Sequence, residues 1–118
     1  MLSFPKSSRL LSRMDFRSVL SVEKAKVVNP YMVVIAKPRN SSEPSRLGLI
    51  VSKKVGIAVM RNRVKRKLRE SFRTLPSPKT SLDLVIIARK SAVSADFNVI
   101  KDSLGSSLDR LVRKLEPK

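Results

Sequence analysis

Between Met60 and Arg73 the chain sets Arg61, Arg63, Lys65, Arg66, Lys67, Arg69 and Arg73 close together, and Glu70 is the only acid between Pro44 and Asp83. Helix formers fill this segment and no proline interrupts it before Pro76, so it reads as an α-helix. At about 100° per residue, Arg61, Asn62, Lys65, Arg66, Arg69 and Arg73 share one face, with Arg63, Lys67 and Glu70 further round. Cations at that spacing can meet successive phosphates of a folded nucleic-acid backbone. A solvated helix face usually pairs its lysines and arginines with acids at i,i+4. One glutamate cannot do that here. Lys53 and Lys54 lie just before the helix and extend the same charge.

The rest of the composition removes competing chemistries. Among 118 residues there are 26 Lys and Arg against 9 Asp and Glu, with no Cys, His or Trp, giving a net charge of +17. Without Cys there is no disulfide, thiolate nucleophile or thiolate metal site, and without His the commonest general base and metal ligand are missing. Gly48, Gly56 and Gly105 are too scattered for a phosphate-cradling loop. The acids are dispersed and offer no pair suited to a two-metal nuclease. Self-repulsion from this charge is tolerated mainly beside a polyanion, and 42% hydrophobic residues exclude a disordered basic tail. The chain reads as a folded binder of nucleic acid with no catalytic group of its own.

The elements that must position the basic helix follow from periodicity. Ser12 and Asp15 form a capping-box-like start, and Phe16, Val19 and Leu20 then fall at helical spacing, predicting a helix over about 13–21. Tyr31 to Ala36 is a β-rich run apolar on both faces, and Leu47 to Val51 is a second strand. The seven-residue loop between them, Arg39 to Ser45, predicts an antiparallel hairpin. The basic helix lays Met60, Val64, Leu68, Ser71 and Phe72 on the sheet. Leu82 to Arg89 is nearly continuous in apolar residues, as a central strand is. A last helix over about Ser94 to Leu115 carries Phe97, Ile100, Leu104, Leu108, Leu111 and Leu115 at spacings of three and four, and Phe72 and Phe97 read as core.

These elements fit one domain, residues 1–118, with an α/β (α+β) two-layer sandwich in which helices cover a sheet. No apolar run reaches the roughly 20 residues of a membrane span. A helix-turn-helix is disfavoured, because a strand and the Lys53-Lys54-Val55-Gly56 turn precede the basic helix where a first helix would stand. Phe16 and Tyr31 lie where they could stack an unpaired base.

The segment GLIVSKKVGIAVMRNRVKRKLRESFR, from Gly48 to Arg73, resembles the protein subunit of bacterial ribonuclease P. Arg61-Asn62-Arg63 stands at that family's arginine-asparagine-arginine signature. The similarity runs from Ser8-Arg9-Leu10 and Asp15-Phe16 through Val51-Ser52-Lys53-Lys54 to Ile86-Ile87-Ala88-Arg89-Lys90. It implies a four-stranded sheet with three helices and a left-handed β-α-β crossover, an exception to the usual hand. It also implies a cytoplasmic protein whose partners are a catalytic ribonuclease P RNA and precursor tRNA, with Mg²⁺ used mainly by the RNA to remove the 5′ leader. Neither membrane nor DNA is an expected partner. Carried onto this sequence, the resemblance assigns RNA contact to Arg61, Asn62, Arg63, Lys65, Arg66 and Arg69, with Lys53 and Lys54 beside them. It assigns a cleft for the single-stranded leader to Phe16, Leu20, Met32, Val34, Ile50 and Lys54. Leu20 and Val34 are aliphatic where family members often carry aromatics, which leaves Phe16 as the aromatic anchor. A ribosomal or RNA-packaging protein, or an architectural DNA binder, would share the charge but not the signature.

Overall fold

The computed structural model describes residues 17, 19, 20, 25–39, 45–76 and 81–115. Strand β1 (Ala25–Val28) and strand β2 (Met32–Pro38) form an antiparallel hairpin. Its turn is built by Asn29, whose side-chain Oδ1 accepts the backbone N–H groups of Tyr31 at 2.8 Å and Met32 at 3.0 Å. This is the local bonding that makes asparagine a turn residue. Asn29 Nδ2 also donates to Ser107 Oγ at 2.9 Å, fastening the hairpin to the last helix. Strand β3 (Arg46–Ile50) is followed by helix α1 (Ala58–Thr74), strand β4 (Leu82–Ala88), a single 3-10 turn (Lys90–Ala92) and helix α2 (Phe97–Leu115).

The sheet order is β1-β2-β4-β3. β4 pairs antiparallel with β2 and parallel with β3, so it is the interior strand that its unbroken apolar run predicts. The expected hairpin between β2 and β3 does not form, because β4 inserts between them. Two parallel neighbours cannot be joined by a tight turn, and α1 is the crossover that joins β3 to β4. Gly56, just before α1, has φ +158°, a backbone conformation that L side chains rarely adopt, and a Cβ there would crowd the flexible Met60 side chain, 3.1 Å from its Sδ. Met60 itself is 40% exposed and is not among the residues α1 lays on the core.

Successive strand residues point to opposite faces, and the two faces of this sheet have different fates. Met32, Val34, Ala36, Leu84 and Ile86 point toward the helices and pack with Val64 and Leu68 of α1 and Ile100, Leu104 and Leu111 of α2. Ile35 and Val85 point the other way and pack with Val19. Arg17, Val19 and Leu20 are helical, in keeping with the helix expected there, whose extent lies outside the described residues. The expected third helix is therefore seen only at those positions.

At one end of the sheet Arg46 of β3 grips Asp83 of β4 with a fork of two bonds, Nε to Oδ1 and Nη2 to Oδ2, both 2.8 Å. Arg39, just past β2, adds a contact from Nε to Oδ1 at 3.5 Å. Three strands are thus joined through one carboxylate whose side chain is only 9% exposed.

Candidate nucleic-acid interface

Val64, Leu68 and Ser71 fix the rotation of α1 on the core. With that stripe inward, Asn62, Arg63, Arg66 and Arg69 are exposed, while Arg61 and Lys65 are half-buried at the edges. Among the described residues Arg63, Arg66 and Arg69 have no ion pair or hydrogen bond. Two other charges of the helix are engaged within the protein. Lys67 Nζ donates to the backbone oxygens of Val93 at 3.2 Å and Ala95 at 2.8 Å. Arg73 pairs with Glu70, and its hydrogen bond holds the Glu70 carboxyl below the usual carboxylate range against a smaller opposing effect of desolvation. Glu70 stays ionised at neutral pH and cancels Arg73, not the exposed arginines.

A second concentration of charge lies at the start of α1. Lys53, Lys54, Arg61 and Lys90 line an open hollow of about 520 Å³ with Gly56, Ile57 and Ala58. α1 has no side-chain N-cap bond and no acid in its first turn, so unpaired backbone N–H groups and the positive end of the helix dipole face this hollow. The Nε of Arg61 is buried without a protein partner. Lys90 was not singled out by sequence reasoning. Parallel pairing explains its place, because β3 and β4 end on the same side and the residues that follow each strand meet there.

The outer face of the sheet carries an apolar row with one residue from each strand. The registers Val28↔Val33, Val33↔Ile87 and Ile50↔Ile87 align Val28, Val33, Ile87 and Ile50 across all four strands. Val28 is 49% exposed, the other three are half-buried, and Val33, Ile50 and Ile87 pack against the cluster containing Val19. Leu20 is exposed nearby in sequence, at 36%.

Of the residues expected to line a cleft, Ile50, Leu20 and Lys54 are accessible at the surface. Phe16 lies outside the described residues. Met32 and Val34 are corrections: both are fully buried beneath the helices and present no surface to a ligand. Their neighbour Val33, and Ile87 opposite it, hold the accessible positions. Because both sets in Tyr31 to Ala36 are apolar, alternation alone could not tell the faces apart, and a shift of one residue exchanges them. Met32→Ala is accordingly expected to act on stability alone, lowering it by about 2–5 kcal/mol in a denaturant titration. The folded variant should bind single-stranded RNA as the unaltered chain does.

No helix among the described residues is long and apolar enough to cross a membrane. The sequence matches the family model for Ribonuclease P over residues 4–112. The ribonuclease P protein component of Citrifermentans bemidjiense is 41% identical over 112 residues, covering 95% of each chain. That of Marinobacter nauticus is 37% identical and covers 96% of this chain and 85% of its own. Among solved structures, a Staphylococcus aureus RNase P protein mutant with defective mRNA degradation activity superposes with a TM-score of 0.79 at 33% identity, over 89% of this chain and 88% of its own. The RNase P protein from Thermotoga maritima gives 0.73 at 32% identity, over 93% and 99%. With Asn62 and Arg63 of its signature exposed on α1 and a four-stranded sheet like those structures, the chain belongs to the ribonuclease P protein family.

Proposed function

We propose that this chain is the protein subunit of a ribonuclease P holoenzyme, binding the catalytic RNA and the 5′ leader of precursor tRNA while the RNA cleaves the leader to leave the mature 5′ end. The observation that carries the reading is the exposed arc of Asn62, Arg63, Arg66 and Arg69, whose arginines have no acid partner among the described residues, in a member of this family. The arc and the half-buried Arg61 and Lys65 contact the RNA backbone. Lys53, Lys54 and Lys90 gather a phosphate at the uncapped start of α1, where backbone N–H groups favour an anion. The outer sheet face takes the leader along Val33, Ile50 and Ile87, with Phe16, Leu20 and Lys54 beside it. The β3–α1–β4 crossover is left-handed in this reading, and the protein works in the cytoplasm.

In this reading Mg²⁺ is used mainly by the RNA. Asp83 is gripped by Arg46 and Glu70 by Arg73, and the described acids form no cluster suited to a metal. The protein's share is electrostatic: it neutralises phosphates that would otherwise repel one another as enzyme RNA and substrate approach.

The test is cleavage of precursor tRNA at low Mg²⁺ by a bacterial ribonuclease P RNA alone, by protein alone and by the mixture. Only the mixture is expected to cut efficiently at the mature 5′ end. If protein binds the RNA tightly yet leaves cleavage unchanged, it is a structural RNA binder. If it prefers duplex DNA in competition, the RNA reading fails.

A further inference from the structure

The chain after β4 returns beside α1 and is held there by Lys67, through its bonds to the carbonyls of Val93 and Ala95. Two residues beyond Ala95, Phe97 opens α2. Its helical spacing places it with the core, but the structure leaves it half-exposed. Phe97, Arg63, Arg66, Lys67 and Glu70 wall an open cavity of about 280 Å³ whose lining is apolar throughout.

The polar ends of two wall residues are spoken for. The Lys67 ammonium is on the loop carbonyls and the Glu70 carboxylate is on Arg73, so what they offer the cavity is carbon. Arg63 and Arg66 are exposed and, among the described residues, have no bonding partner. The result is an aromatic ring in an apolar slot whose walls include the carbon of two arginines with available guanidinium groups. An apolar protein anchor would suit the slot but would leave those cations uncompensated. A nucleobase suits both features, because its face stacks on an aromatic ring and its own backbone supplies the anions.

We propose that this cavity receives one unpaired base of the enzyme RNA, stacked on Phe97, with Arg63 and Arg66 on the flanking phosphates. The proposal rests on the reading that α1 faces that RNA. The slot lies between the two helices, whereas the apolar row for the leader lies on the other face of the sheet. Both can therefore be filled at once.

The chain contains no tryptophan, so Phe97→Trp in the full-length protein introduces a single indole that keeps the aromatic packing. Titrated with a bacterial ribonuclease P RNA, its emission is expected to be quenched as the complex forms. Phe97→Leu should weaken binding by roughly 5- to 140-fold, the range for one lost base–aromatic stack. Its salt dependence should match that of the unaltered chain, because no phosphate contact is removed. Circular dichroism and thermal melting identify any variant that fails to fold, in which case the Phe97→Trp emission decides. If the unaltered chain binds while the indole emission does not change, or if folded Phe97→Leu binds equally well, no base stacks there and the proposal is overturned. If the unaltered chain does not bind the RNA at all, the functional reading itself has failed and the proposal falls with it.

Discussion

Replacing Arg63, Arg66 and Arg69 together by alanine is expected to lower the slope of log Kobs against log salt for ribonuclease P RNA binding by roughly 2–3 units, at about 0.7–0.9 per lost phosphate contact. Extrapolated from 1 M salt, where this contribution vanishes, the slope corresponds to roughly 100- to 500-fold weaker binding at 0.1 M. Stability should move by less than about 0.5 kcal/mol, as for most surface substitutions. All three side chains are exposed and unbonded among the described residues, and alanine is the better helix former. A filter-binding or anisotropy titration at several salt concentrations, paired with a melting curve, separates the two effects. An unchanged slope would remove these arginines from the interface.

The second large effect is on the fold. Asp83→Asn keeps the shape of the side chain but removes the charge that holds Arg46 and Arg39 at the end of the sheet. Breaking a buried ion pair from one side costs about 3–5 kcal/mol. The lower end applies here, because the Arg46 side chain is 23% exposed and can regain water. A loss of about 3 kcal/mol should lower Tm by roughly 12 °C in a domain of this size. The salt slope for RNA should stay as it was, since Asp83 lies on the outer sheet face, away from α1. If the Tm is unaltered, the fork is a surface contact of no energetic weight.

Much of the candidate site was legible in the residues. The basic run had only Glu70 within it to balance its charge, and the helical period put most of that charge on one side. What periodicity could not give was the engagement of individual charges. Lys67 looks like its neighbours in sequence, yet its ammonium meets two carbonyls of a loop far along the chain. Phe97 has the spacing of a core residue, yet it starts the helix at the rim of α1, where the packing stops. Lys90 joins the site only because two strands end side by side.

By itself the sequence determined that this protein carries a large excess of positive charge with neither Cys nor His, that Leu82 to Ala88 lies inside a sheet, and that Val64, Leu68 and Ser71 cover it. Those conclusions rest on residue chemistry and on local repeats of two and 3.6, which a chain carries wherever it folds. Only the tertiary structure decided that β4 separates β2 from β3, and that Val33 rather than Val34 is available to a ligand. Local pattern was silent there, because each strand is apolar on both sides and pairing between distant segments sets the register. Burying Met32 and Val34 under α1 and α2 turns Val33 and Ile87 to the opposite face, and that choice decides which side of the sheet is left for a ligand.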